Sequence, residues 1–553
     1  MSSGYFKIAA GTVYDPVHGV DGERRDIWIR DGKIVAPPSD PNIQPDRTLD
    51  AAGLVVMPGG VDMHCHIAGP KVNSARKMRP EDKRKAEKVV RRPGTRSGTV
   101  GSVPSTFATG YKYAGMGYTT AFDAAIPPLA ARHVHEEFED TPCLDKGFFV
   151  LMGNNHYVMQ SIQRNEPERV RSFIAWLLGA AKGFTPKIVN PGGVEVWKQL
   201  PSGNVHGLDE TVPNFGVTPR QIIEHVARAV DELRLPHSVH LHANNLGMPG
   251  NWHTTLETMK TFGDCRGHLA HIQFHSYGGG EADETTFNSK APPLVEYVNS
   301  HPNLTVDVGQ VLFGETTTMT ADGPLGYYLS NAFKSKWFSA DTEMESGCGI
   351  APIEYKNTSL VHSLQWAIGL EWFLLASDPW RVVMSTDHPN GGSFLAYPQI
   401  IQLLMDRTYR EDMLKEVHPA VLERSTLRGV TREYSLYEIC IITRSGPARI
   451  LGLTNKGHLG AGADADITIY TPNDNKTQMF ELPRMVIKSG VVIVDQGEIR
   501  EPLVGKLLYV SPEYDSSIES DIADWFEKYY SIRFRNYPVP LDYLHEAEEI
   551  HTS

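Results

Sequence analysis

Two histidines one residue apart, His64 and His66, sit in the stretch Met57-Pro58-Gly59-Gly60-Val61-Asp62-Met63-His64-Cys65-His66. If residues 61–67 are extended, side chains alternate between faces, so Asp62, His64 and His66 share one side. Two imidazoles at that spacing can hold one metal ion between them. In a chain with 22 histidines, the same pair can also be two hydrogen-bonded core residues. The chemistry therefore turns on whether further ligands follow downstream.

Four positions follow. Lys187 precedes Asn190-Pro191-Gly192-Gly193, and His242 precedes Ala243-Asn244-Asn245. His271 is followed by Gln273 and His275, and Asp387 stands in Ser385-Thr386-Asp387-His388-Pro389. Each alone has an ordinary account. A lone histidine in an apolar run is satisfied by a hydrogen bond, a strand lysine snorkels, and an aspartate at a strand end caps the next helix. Four histidines, one lysine and one aspartate, each on or at the end of a strand candidate, make a specific pattern that these separate accounts do not explain together.

The elements that must position them are legible as an alternation. Short strand candidates lie at residues 61–67, 119–123, 147–151, 187–190, 238–242, 268–272, 304–308 and 382–387. Helical patterns lie between several of them, at 168–181 and at 218–233, where Thr218-Pro219 is a start signal. Eight strands alternating with helices suit an α/β chain folded as a (β/α)8 barrel, with chemistry at the C-terminal strand ends. Before and after the barrel the texture is antiparallel. Residues 6–14 and 26–30 read as strands, Asp31-Gly32 is a hairpin signal, and strand patterns return at 463–470 and 485–494. The expected organisation is a composite β domain from 1–58 and 454–506 and a catalytic barrel over 59–453. An insertion or lid is expected near 313–378, and a C-terminal extension over 507–553.

Length and composition bound the rest. At 553 residues the chain can bury a large core, and its 41% apolar and 22% charged residues are ordinary for a soluble globular protein. A net charge of -13 argues against general nucleic-acid binding. Five scattered cysteines without a Cys-x-x-Cys indicate neither a disulfide framework nor a cysteine zinc site. The N-terminal residues carry no apolar signal region, and the apolar run 366–376 is broken by Glu371 and too short to span a bilayer. A reduced cytoplasmic setting without a membrane anchor is the expectation.

The whole pattern resembles the amidohydrolase superfamily of metal-dependent hydrolases. That resemblance implies a dinuclear centre with His64 and His66 after the first strand, a carboxylated Lys187 on the fourth, His242 and His271 on the fifth and sixth, and Asp387 on the eighth. Around these residues, residues 59–73, Lys187-Ile188-Val189-Asn190-Pro191-Gly192-Gly193, His242-Ala243-Asn244-Asn245-Leu246-Gly247 and His271-Ile272-Gln273-Phe274-His275-Ser276-Tyr277-Gly278 narrow the resemblance. They are similar to the A subunits of formylmethanofuran dehydrogenases and, more closely, to the hydrolase subunits of bacterial formyltransferase/hydrolase complexes. The implied activity is reversible hydrolysis of an N-formyl amide on a furan-type one-carbon carrier, giving formate and a free amine within a multi-subunit complex. Two other readings share these residues: a cyclic-amide hydrolase of the dihydropyrimidinase kind, and a metal-free scaffold that has kept only the fold.

The implied chemistry accounts for the residue types. Neutral imidazole nitrogen and carboxylate oxygen suit two divalent ions, with zinc favoured. A buried lysine that loses its proton can add carbon dioxide and become a carboxylate ligand. Asp387 can bind one ion and act as general base. Asn190, Asn244, Gln273, His275 and His388 are candidates for orienting the formyl group or the ligands. His240 shares a face with His242, which is preferred as ligand because it lies nearer the strand end. A basic run, Lys71, Arg76, Lys77, Arg79, Lys83, Arg84, Lys85, Lys88, Arg91, Arg92 and Arg96, reverses the sign of this acidic chain directly after the first metal strand. It reads either as a solvated helix paired with Glu81, Asp82 and Glu87, or as a seat for a polyanionic carrier tail contacted by Arg76 and Lys77.

Overall fold

The computed structural model describes residues 4–80, 101–200, 203–280, 283–340, 344–345 and 347–551. A nine-stranded sheet is drawn from both ends of the chain. Its N-terminal strands are Phe6–Asp15, Val20–Arg30, Lys33–Val35, Arg47–Asp50 and Val55–Pro58. Its C-terminal strands are Ile467–Tyr470, Met485–Lys488, Val491–Asp495 and Glu498–Ile499. The two halves meet where Val56 opposes Ile469 in an antiparallel ladder. Alternating apolar residues, among them Ile8, Val13, Ile27, Ile467 and Ile487, give this sheet its own buried core.

Pro58 ends the last N-terminal strand of that sheet and Gly60 begins the next sheet. Close approach demands glycine at this crossing, because a Cβ on Gly59 would lie 2.2 Å from Thr119 Oγ1. The next sheet contains the eight parallel strands expected from the sequence. They are Gly60–Cys65, Tyr118–Ile126, Asp145–Leu151, Pro186–Val189, Val239–His242, Gly267–Leu269, Leu304–Asp307 and Val382–Val383, each paired with its neighbour in the chain. Every residue of the first six is buried, as expected for parallel strands covered on both faces. The sheet curls until the segment after the eighth strand meets the first. Cys65 bridges His388, and the His66 backbone N–H donates to the His388 carbonyl at 2.8 Å. The crossover helix Pro219–Glu232 starts at Thr218, whose hydroxyl forms a capping box with Gln221.

Between the seventh and eighth strands the chain builds a lid. Strands Gly314–Thr320, Phe338–Ala340 and Cys348–Tyr355 form a small antiparallel sheet, with helix Gly323–Phe333 against it. Beyond the nine-stranded sheet, Leu507–Tyr509 adds to the barrel sheet beside the third strand, and Ala547–Glu549 pairs with it. Helix Ile518–Tyr529 sets Phe526 edge-on to Trp176 of the barrel helix Pro167–Ala181. The junction between the two sheets carries a buried charge cluster. Lys456 and Lys488 bond Asp145, at the start of the third barrel strand, and Asp466, just before Ile467, while Lys456 also reaches Asp464. Among the described residues, no helix is long and apolar enough to cross a membrane.

Candidate metal centre

The first strand and the residue after it present His64 and His66 to the barrel interior, and Cys65 between them turns to the Phe122 carbonyl. His64 Nε2 and His66 Nε2 approach Asp387 Oδ1 at 3.1 and 3.0 Å. His271 joins them: ligand atoms of His64, His271 and Asp387 all lie within 4.8 Å of one another. The His242 ring stands 4.8 Å from that of His271. Its Nε2 contacts Asp322 Oδ2 at 3.3 Å, which leaves Nδ1 as the ring nitrogen for a ligand. Lys187 is buried on the fourth strand. All six residues line one cavity, roofed by lid residues such as Thr318, Met319, Leu325, Phe333 and Tyr355.

The electrostatics follow from burial. The Lys187 ammonium is pushed down to about 7 by desolvation, against the pull of Asp307 and Asp387. Desolvation holds His271 well below the ordinary histidine range and lowers His242, so both are neutral, as metal ligation requires. Burial opposes charge on His64 as well, yet the Asp307 and Asp387 carboxylates carry it up to about 9. Burial would raise Asp387, but His271 and His64 hold it well below the carboxylate range. His64 Nε2, Lys187 Nζ, His271 Nδ1 and Asp387 Oδ1 are buried and have no hydrogen-bond partner in the protein.

Three of these residues are not on strands: His66 lies one residue past the first strand, and two others stand further out, contrary to the sequence expectation. The sixth strand ends at Leu269 and the eighth at Val383, so His271 and Asp387 lie beyond them. Each adopts a left-handed backbone, with φ of 36° and 51°, and Asn190, just past the fourth strand, has φ of 41°. This rare conformation turns single residues out of the strand direction at the mouth of the barrel. At His271 it is held by the backbone N–H, which donates to Asp307 Oδ1 at 3.0 Å.

The remaining candidates surround the cavity without lining it. Asn190 bonds Asn204 and Asp322 and accepts from Asn244, a relay behind His242. His275 stacks on His271 with 5.4 Å between ring centroids and has no hydrogen bond at either nitrogen. Gln273 accepts from the Tyr277 hydroxyl, and His388 serves the barrel closure through its carbonyl. His240 lies deeper than His242, 3.1 Å from His64 Nδ1 and 3.1 Å from His237 Nε2, and does not face the cavity. Of the basic run, Arg76 is spent inside the fold on the Pro104 and Ile67 carbonyls and Asn73, and Arg79 on Thr316 and Glu315. Lys77 is exposed. Lys83, Arg84, Lys85, Lys88, Arg91, Arg92 and Arg96, with Glu81, Asp82 and Glu87, lie outside the described residues.

Sequence reasoning missed three carboxylates. Asp307, at the end of the seventh strand, accepts from His64 Nδ1 at 2.8 Å and from His268 Nε2 at 3.1 Å. Asp123, in the second strand, accepts from the Ile67 and Ala68 N–H groups and stands 3.6 Å from His66 Nδ1. Asp322 comes from the lid. Asp307 and Asp123 carried the same signal as Asp387, an acid closing an apolar strand candidate.

Comparison with known proteins agrees with this geometry. The model of a family described as "Amidohydrolase family" matches residues 47–494. The chain is 45% identical to Protein FwdA of Methanocaldococcus jannaschii, over 97% of each chain. It is 38% identical to the A subunit of the formyltransferase/hydrolase complex Fhc of Methylorubrum extorquens, over 97% of this chain and 96% of that one. In three dimensions it matches a chain from the crystal structure of the M. extorquens formyltransferase/hydrolase complex (FhcABCD) with methylofuran. The TM-score is 0.93 at 37% identity, covering 99% of both chains.

Proposed function

Because this chain belongs to the amidohydrolase family, we propose that it hydrolyses the N-formyl amide of a furan-type one-carbon carrier, reversibly, as one subunit of a larger complex. One observation carries the reading. Four histidines, a lysine and an aspartate converge on a single buried cavity, in a chain similar over 97% of its length to a hydrolase-complex subunit. The methylofuran in that relative's complex supports a carrier of the same class here.

The residues fit a pair of divalent ions, zinc first. Buried imidazole nitrogens and a carboxylate oxygen that no hydrogen bond satisfies are the donor set such ions need. His64, His66, His242, His271, Asp387 and a carboxylated Lys187 would hold them. Ions of this kind, when bound, lower the pKa of a water and polarise a carbonyl. Lys187 qualifies for carboxylation because burial frees its lone pair near neutrality. Its Nζ bonds to the carbon of carbon dioxide and loses a proton, giving an N-carboxylate.

Asp387 takes the proton of the attacking water as that oxygen bonds to the formyl carbon. It passes the proton to the amide nitrogen as the C–N bond breaks, so formate and a free amine leave. Asp307 fixes the ring of His64, and Asp322 that of His242. The lid limits bulk water over the cavity. The test is formate release from a formylated furan carrier by the assembled complex, comparing wild type with Asp387→Asn. Equal rates would remove the mechanism.

A further inference from the structure

Asn390 stands three residues beyond Asp387, in the turn that follows the eighth strand, and lines the same cavity. The turn is tight. The Asn390 backbone N–H donates to the Asp387 carbonyl at 2.7 Å, and that of Gly391 to the Thr386 carbonyl at 2.9 Å. The lid grips this turn at three points. The Thr316 hydroxyl donates to the Pro389 carbonyl, and the Tyr355 hydroxyl donates to the Asn390 carbonyl at 2.9 Å. The Met319 backbone N–H, on the edge strand of the lid sheet, donates to Asn390 Oδ1 at 2.6 Å.

That last bond fixes the amide. A backbone N–H only donates, so the side-chain atom facing Met319 is the oxygen, and the NH2 group is turned away from it. Asn390 is 9% exposed, and no hydrogen bond among the described residues takes its Nδ2. Two neighbouring hydroxyls of the cavity wall are already spent, Thr318 on the Ala351 carbonyl and Tyr355 on Asn390 itself. Asn390 thus brings an unspent N–H donor to the cavity on the turn that carries Asp387. A nearly buried donor held in one orientation is costly to leave unpaired, and the partner it lacks is an oxygen acceptor.

We propose that Asn390 Nδ2 donates a hydrogen bond to the formyl oxygen of the bound carrier, which makes Asn390 a further catalytic residue. This rests on the function proposed above and deepens it. An N-formyl amide offers one strong acceptor, its carbonyl oxygen. As the water oxygen bonds to the formyl carbon, the carbonyl electron pair moves onto that oxygen and the bond from Asn390 strengthens. When the C–N bond breaks, the pair returns and the carbonyl re-forms in formate. The amide is held in place by the lid, so a displaced lid removes this donor together with its grip on the Asp387 turn.

The test compares wild type, Asn390→Asp and Thr316→Val in the metal-loaded complex on a formylated furan carrier. Asn390→Asp keeps an acceptor for Met319 and removes the donor. Its kcat should fall by about a hundred- to a thousandfold, with KM and metal content little changed. Thr316→Val cuts one lid tie and leaves the donor, so its kcat should stay close to wild type. Carbon-13 in the formyl group reads the bond itself. With the carrier bound to the Asp387→Asn complex, the carbonyl infrared stretch should lie lower with Asn390 present than with Asn390→Ala added. An unchanged kcat in Asn390→Asp, an equal fall in Thr316→Val, or a stretch indifferent to Asn390 overturns the proposal. If Asn390→Asp fails to fold, Asn390→Ala replaces it in the kinetic comparison. Failure of the functional reading looks different: the wild type itself releases no formate from the formylated carrier.

Discussion

Asp307 Oδ2 lies 2.8 Å from His64 Nδ1, so a carboxylate of the seventh strand fixes the ring of a metal-ligand candidate on the first. The other oxygen of Asp307 takes the His271 backbone N–H, holding a second candidate in its left-handed turn. One side chain thus orients two candidate ligands from different segments of the barrel. Asp307→Asn should lower metal affinity by about ten- to a hundredfold, because the tautomer and both orientations loosen together. Competition against a chelator of known affinity measures this, and unchanged affinity would count against the role.

Asp387→Asn removes the proton acceptor and keeps the shape. Turnover on the formylated carrier should fall by about a hundred- to ten-thousandfold, while carrier binding changes little. Single-turnover rates separate the two effects.

Lys187 gives a pH dependence. Below about pH 7 it is an ammonium without a lone pair, and above that value the neutral amine dominates. Reconstitution of chelator-treated enzyme with metal and bicarbonate should therefore be slow on the acid side and rise as pH increases through about 7. Lys187→Ala should lose this dependence and the activity with it. A flat profile in the wild type would rule out carboxylation as the limiting event.

The charge cluster at the junction of the sheets makes a stability prediction. Lys456→Met leaves Asp145, Asp464 and Asp466 with Lys488, Lys33 and Lys506 as the cations near them among the described residues, and should cost about 3–5 kcal/mol in denaturant unfolding. Burial raises Asp464, but Lys456 and Lys33 hold it at about 2, below its ordinary value of 3.8. Stability from a depressed carboxylate is present above the unfolded pKa and lost as pH falls through the folded one. The difference between wild type and variant should thus shrink as pH drops from about 4 to about 2.

Much of the architecture was legible because its signals are local. Alternation placed His64 and His66 on one face, Thr218-Pro219 marked a helix start, and Pro58-Gly59-Gly60 marked the passage between the sheets. The left-handed turns at His271 and Asp387 were not legible, since neither residue type announces that backbone. Nor was the role of Asp307, which depends on three strands meeting across the barrel. Arg76 looked like a free surface cation, yet it is consumed by carbonyls that only the folded chain brings to it.

The barrel closes between its first and eighth strands not by a ladder but through the Cys65–His388 bridge and the His66 to His388 backbone hydrogen bond. His64 and His66 flank Cys65 on one lip of this seam, and Asp387 precedes His388 on the other. A metal ion held by all three would act as a rivet across the weakest line of the barrel. Its removal should speed backbone hydrogen exchange along the seam first, while the strands opposite remain protected.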